Sequence, residues 1–210
     1  MIVAIDGPAG AGKSTVARAL AERLSFRYLD TGAMYRALTW LAMYRSLDLS
    51  AGDALAELAR AEAVTFDAEG RVWIGGKDVT SSIRDQRIDR MVPVVARHTA
   101  VREVMRERQR ELGRDGDVVI EGRDIGTVVA PDAEVKVYLI ADRDERARRR
   151  MADRPGIGAD ALATDLRVRD EKDAERMRPA KDAREIDTTG LNVEDVVERI
   201  EALVRERTPA

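Results

Sequence analysis

The chain has 210 residues, 44% hydrophobic and 36% charged, with a formal net charge of −3. That length buries a full core and predicts one domain with a sizeable insertion rather than two independent domains, and a sequence pI of about 5.5 argues against a general nucleic-acid surface. With no cysteine and one histidine, His98, disulfides, thiolate metal sites, thiol nucleophiles and histidine-based triads have no material.

In chain order, Met1 to Ile5 reads as a buried strand and Lys13 to Leu24 as a helix with Val16, Ala17, Leu20 and Leu24 on its apolar face. Phe26 to Asp30 follows as a second strand, which makes a βαβ opening. The first apolar stretch ends at Asp6 and no later run is long enough to span a bilayer, so neither a signal peptide nor a membrane anchor fits and a cytoplasmic protein is expected.

Between the first strand and helix, Gly7-Pro8-Ala9-Gly10-Ala11-Gly12-Lys13-Ser14 fits the phosphate-loop pattern G-x-x-x-x-G-K-[ST] in its proper context. The glycines let backbone N–H groups curl around phosphate oxygens, and the following helix offers unpaired N–H groups and a positive dipole end. Lys13 places a charge over the terminal phosphates and Ser14 offers its hydroxyl to Mg2+. The loop is therefore expected to hold a nucleoside triphosphate, but it is shared by GTPases, motor ATPases and kinases. A GTPase needs Asn-Lys-x-Asp to read guanine, and Asn192, the only asparagine, is followed by Val193. An ATPase machine needs an acid-ended strand and a large coupling apparatus; "VVIEG" supplies one acid, Glu121, in a short chain. A small-molecule phosphotransferase remains the leading class.

The run Leu29-Asp30-Thr31-Gly32-x-x-Tyr35-Arg36 ends the second strand and opens a helix that continues from Met34 to Tyr44. Thr31 is expected at the N-cap and Arg36 about a turn inside; Asp30 and Thr31 either cap the helix or meet a second substrate. A helix over Asp53 to Ala63 precedes a stretch from Val64 to Asp78 that alternates apolar and polar residues around Gly70 and Gly75-Gly76, the pattern of a small antiparallel meander. Helix resumes at Ile83, with a break or kink predicted at Pro93, and a charged helix runs from about Thr99 to Leu112.

Asp117 to Gly122 and Val135 to Ala141 are near-continuous apolar runs, as central parallel strands should be. Arg123 and Asp124 directly follow the first of these, where open α/β sheets bind ligands. After Ala141 the chain is dense in charge around a Pro155-Gly156-Ile157-Gly158 break, too polar for core and predicted to be a solvated helical hairpin. A short strand over Glu185 to Asp187 and an amphipathic helix with Val193, Val196, Val197, Ile200 and Leu203 complete the pattern.

Taken in order, IDGPAGAGKST, LDTGAMYRA, VREVMRERQR, EGRDIGTVVAPDA, RDEKDAER and IDTTGLNVEDVVERI make the chain resemble the bacterial cytidylate kinases over nearly its whole length. The resemblance implies an α/β fold of the P-loop nucleoside-monophosphate-kinase type: a five-stranded parallel sheet flanked by helices, a small antiparallel insert and a helical lid. It implies a single domain over 1–210, with a core of 1–30, 113–141 and 184–210, a monophosphate-binding region with the insert at 31–112, and a lid region at 142–183. The implied reaction is ATP-dependent phosphorylation of CMP and dCMP with Mg2+, by a monomer with small-molecule substrates and no nucleic-acid or membrane partner.

Residue by residue, the resemblance gives ATP to the loop from Gly7 to Ser14 with Thr15, and Mg2+ to Ser14. It assigns Arg36 and Arg123 to the monophosphate, beside Thr31 and Tyr35, and Arg102 and Asp124 to the cytosine. Arg169 and Asp173 fall to the sugar side and the reaction centre, and Arg176 to the triphosphate, so that Lys13, Arg123, Arg169, Asp173 and Arg176 form the expected catalytic set. A carboxylate such as Asp124 accepts from the exocyclic amine of cytosine, whereas uracil would set a second acceptor against it. The chain departs from the family at Pro93, where many members carry a serine that helps hold the base. It departs again in a shortened run between the lid helices and in the compressed "MRPAKDA" after Arg176.

Overall fold

The computed structural model describes residues 1–67, 69–153, 158–174 and 177–207. The chain opens with β1 (Ile2–Asp6), α1 (Lys13–Leu24) and β2 (Arg27–Asp30), followed by α2 (Thr31–Tyr44) and α3 (Gly52–Ala61). Three short strands come next, β3 (Thr65–Phe66), β4 (Val72–Ile74) and β5 (Lys77–Asp78), then a 3-10 turn at Ser82–Arg84, α4 (Gln86–Ala96) and α5 (Thr99–Gly113). β6 (Val118–Glu121), a π-helical turn at Ile125–Val129, β7 (Val135–Ile140), α6 (Arg143–Asp153), α7 (Ala159–Asp173), β8 (Arg184–Asp187) and α8 (Val193–Arg207) follow. No described helix is long and apolar enough to cross a membrane.

The chain divides into two compact units, one of Met1–Asp30 with the residues from Gly113 onward, the other Thr31–Leu112. The first is built on a five-stranded sheet in the order β2-β6-β1-β7-β8, with every neighbouring pair parallel. The two apolar runs expected at the sheet centre are β6 and β7, and they flank β1, with Val3 paired to Val119 on one side and Val135 on the other. β-branched side chains suit a strand covered on both faces. Val16 and Leu20 of α1 and Val196, Val197, Ile200 and Val204 of α8 pack on Val3, Ile5, Val119, Val137 and Leu139. Leu20 is fully buried there, and cutting it to alanine would cost about 2–5 kcal/mol.

The second unit is organised around α2, whose Ala33, Met34, Ala37, Leu38 and Leu41 are buried. α3, α4 and β4 pack against it, and the meander forms an antiparallel sheet in the order β3-β4-β5. Two local expectations change. α2 takes Thr31 in as its first residue, directly after β2, so Thr31 is inside the helix rather than a cap before it. α4 runs through Pro93, so of the predicted break or kink the break does not occur. Its buried Ile88, Asp89 and Val95 form the inner face, and packing on α2 outweighs the local penalty of proline.

The pair α6 and α7 is also less solvated than its composition suggested. Leu162, Leu166 and Arg146 are buried, at 1%, 5% and 6% exposure. The Pro155 to Ile157 part of the expected break lies outside the described residues.

Candidate active site

β1 ends in Asp6, and the chain then turns through the glycines of the phosphate loop. Gly7 has φ 145°, and a Cβ there would meet the Leu139 carbonyl oxygen of β7 at 2.2 Å, so only glycine passes the neighbouring strand. Gly12, also at positive φ, precedes α1, and no side chain caps that helix. The N–H groups of its first turn therefore face the loop, a ready anion site. Lys13 reaches back over the loop, and its Nζ donates to the Pro8 carbonyl at 2.8 Å.

The end of β6 meets this loop. Ser14 Oγ donates to Glu121 Oε2 at 3.0 Å, and the Tyr28 hydroxyl donates to Oε1 at 2.5 Å. Glu121 is only 3% exposed. Burial, then the nearby charge of Asp30, pushes its carboxyl above the usual range, while Lys13 and the two hydroxyl donors pull the other way. Burial first and Glu121 second push the Tyr28 phenol up as well, so the hydroxyl remains a donor at neutral pH.

Asp6 holds the turn that follows β6. Its carboxylate accepts from Ile125 N–H at 2.9 Å and Gly126 N–H at 2.8 Å, and these two bonds anchor the first residues of the π-helical turn. Burial raises the Asp6 carboxyl above its ordinary value against the lowering effect of those donors. The turn presents Arg123 and Asp124 at the carboxyl end of the sheet, and Arg123 Nη1 donates to the Gly7 carbonyl at 2.5 Å. The loop and the Arg123-Asp124 turn, far apart in sequence, are thereby joined.

α6 adds two arginines. Arg146 Nη1 donates to the Ala9 carbonyl at 3.2 Å. Arg149 donates to Thr188 Oγ1 at 2.9 Å and to the Thr188 carbonyl at 2.7 Å, while Thr188 Oγ1 donates to the Ala11 carbonyl at 3.2 Å. The phosphate loop is thus braced by side chains from four other segments of the unit.

The first unit brings together Lys13, Ser14, Arg123 and Asp124 of the expected set. Thr31, Tyr35 and Arg36 on α2 and Arg102 on α5 belong to the second unit. Arg169 and Asp173 lie on α7 with side chains outside the described residues, and Arg176 is outside them altogether. Asp6, Tyr28, Glu121, Arg146, Arg149 and Thr188 are participants that sequence reasoning missed. Asp6 and Glu121 did carry a signal, as acids ending buried strands; Arg146 and Arg149 share a helix face at i, i+3.

A family model described as cytidylate kinase matches residues 3–206. The chain belongs to the cytidylate kinase family. It is 46% identical over 216 residues to the cytidylate kinase of Geobacillus sp. (strain WCH70), covering 98% of this chain and 96% of that protein. To the cytidylate kinase of Bacillus subtilis (strain 168) it is 45% identical over 217 residues, covering 98% and 97%. Among solved structures, the shikimate kinase from Acinetobacter baumannii in complex with shikimate aligns with a TM-score of 0.51 and 18% identity, covering all of this chain and 95% of that one. An uncharacterized protein from Eubacterium ventriosum aligns with a TM-score of 0.56 at 13% identity, covering 98% of each. These last two likenesses are of fold alone.

Proposed function

We propose that this cytidylate kinase family member transfers the γ-phosphoryl group of ATP to CMP or dCMP, releasing ADP and CDP or dCDP. The observation that carries the reading within the site is the Arg123 to Gly7 hydrogen bond, because it fastens the arginine expected to hold the acceptor phosphate to the loop that holds the donor. Phosphoryl transfer depends on alignment and on neutralising charge rather than on covalent or acid–base help. A site of arginines, one lysine and a hydroxyl therefore suffices, and the scarcity of histidine is no obstacle.

In this reading the loop N–H groups and the start of α1 hold the triphosphate, and Lys13 leaves its Pro8 contact to lie along the phosphates. Ser14 and Glu121 present hard oxygens 3.0 Å apart, a donor set suited to Mg2+, which takes one or two protein oxygens and keeps several waters. When bound, the ion neutralises charge on the β- and γ-phosphates. Arg36 and Arg123 hold the monophosphate, beside Thr31 and Tyr35. Asp124 and Arg102 read the base, Asp124 by accepting from the cytosine amine. Arg169, Asp173 and Arg176 serve the sugar side, the reaction centre and the triphosphate, and α6 with α7 acts as the lid that excludes water.

Coupled ADP release across CMP, dCMP, UMP, AMP and GMP tests the reading, with CMP and dCMP expected to turn over fastest. Asp124→Asn can rotate its amide to donate to O4 of uracil, so the CMP-to-UMP ratio of kcat/KM should fall, mainly through lost CMP activity. Equal rates on all five nucleotides, or ADP release that needs no acceptor, would overturn it.

A further inference from the structure

Among the described residues, α6 and α7 carry ion pairs within a helix and one between the two helices. Arg148 and Arg149 with Glu145, and Arg167 with Glu171, join residues three or four apart on a single helix. Arg146 instead reaches from α6 to Asp170 on α7, with Nη1 to Oδ1 at 3.0 Å and Nη2 to Oδ2 at 2.7 Å. Its side chain is only 7% exposed. This parallel two-bond geometry belongs to the arginine fork, and a lysine cannot reproduce it.

The same Nη1 donates to the Ala9 carbonyl of the phosphate loop. Beside it, Gly10 lets the backbone of α6 come close: a Cβ on Gly10 would stand 3.0 Å from Arg146 Cβ and 3.1 Å from its carbonyl oxygen. One buried guanidinium is thus bonded at once to the loop and to the helix that carries Arg169 and Asp173 on either side of Asp170.

We propose that Arg146 and Asp170 are positioning residues that make the order of α7 depend on occupancy of the phosphate loop; the inference rests on the kinase reading above. Separating the two breaks a two-bond ion pair whose arginine end is 7% exposed and whose carboxylate end is 27% exposed. A movement of α7 therefore pulls on Arg146, which is also held by the Ala9 carbonyl. Because coupling of this kind is reciprocal, an ordered α7 also tightens the hold of the loop on the triphosphate. Neither residue touches the reacting atoms; both act through the loop and through α7.

The test uses the full chain with Asp170→Asn and Arg146→Lys, the first serving if the second fails to fold. A non-hydrolysable ATP analogue is added and hydrogen exchange is followed in residues 159–173 and in α1. In the unsubstituted protein the analogue should slow exchange in both segments. In each variant it should still slow α1 and no longer slow 159–173, the KM for ATP should rise about fivefold or more, and kcat should fall with it because Arg169 and Asp173 ride on α7. The double variant should be no worse than the poorer single one, as expected for two ends of one link. Variants whose 159–173 segment responds to the analogue as fully as the unsubstituted protein overturn the link, and so does an unsubstituted protein whose segment does not respond at all. Exchange needs only nucleotide binding, so failure of the kinase reading registers separately, as absent CMP-dependent ADP release.

Discussion

The carboxyl end of the parallel sheet and the α6–α7 pair are both dense in charge, yet they satisfy it in opposite ways. At the sheet end Asp6 and Glu121 are 5% and 3% exposed; Asp6 accepts from two backbone N–H groups and Glu121 from two hydroxyls, with the charge of Lys13 near both. Burial dominates, and both carboxyls are pushed up. On α6, Glu145 hydrogen-bonds Arg148 and Arg149, and those arginines hold its carboxyl down at about 2. Its contacts lie within one helix, so they form as soon as the helix does. Acids at the sheet end thus report the tertiary arrangement, while those on α6 report local sequence; Arg146 with Asp170 is where the second region acquires the character of the first.

The comparison can be broken most severely at Lys13. Lys13→Ala removes the charge that neutralises the phosphates in transit, and kcat should fall by about 10²-fold or more; a variant keeping half of normal turnover would show that the loop is not catalytic. Next in size is Asp6→Ala, which leaves two backbone N–H groups of the π-helical turn without their acceptor at about 1–3 kcal/mol each. A fall of roughly 5–20 °C in Tm is expected for a chain of this size, and an unchanged melt would mean that something else holds the turn. Tyr28→Phe strips one donor from buried Glu121 and should cost about 1–3 kcal/mol, again read by thermal melting.

Acidification sharpens the contrast further. For Asp6 and Glu121 the folded carboxyl lies above its ordinary value, so their contribution to stability falls as pH rises from the ordinary value toward the folded one, and acid relieves the strain of burying them. For Glu145 the folded value is about 2, so its contribution is present above the ordinary glutamate range and is lost as pH falls toward 2. Between pH 5 and pH 3, hydrogen exchange corrected for its intrinsic pH dependence should accelerate in α6 before it does in β1 and β6; the reverse order would contradict the assignment. The smallest effect is expected at Arg167→Ala, whose exposed pair with Glu171 contributes at most about 0.5 kcal/mol, so Tm should barely move.

Much of the fold was legible in the residues because its signals are short-ranged. α1 runs from Lys13 to Leu24 as its periodicity indicates, and the apolar strands β6 and β7 take the central places that their composition requires. Legibility fails where a partner comes from elsewhere in the chain. Pro93 reads locally as a break or kink, and with α4 packed on α2 the helix continues through it. The stretch from Arg143 to Asp173 reads as solvent-facing throughout because nothing in its own pattern announces that Arg146 turns inward.

Sequence alone determined the phosphate loop, its lysine and serine, and the order of strands and helices, since each rests on spacing within about a dozen residues. Tertiary structure decided which polar groups surround that loop. Ser14 meets Glu121 across 107 residues, Tyr28 meets the same carboxylate across 93, Asp6 meets Ile125 across 119, and Arg146 meets Ala9 across 137. Those partners become neighbours only because β6 pairs directly with β1 and β2, and because α6, following β7, packs back over the loop that β1 feeds. Sheet order is a property of the whole chain, set by how the apolar strands bury one another, and no local pattern encodes which two strand ends will share a carboxylate.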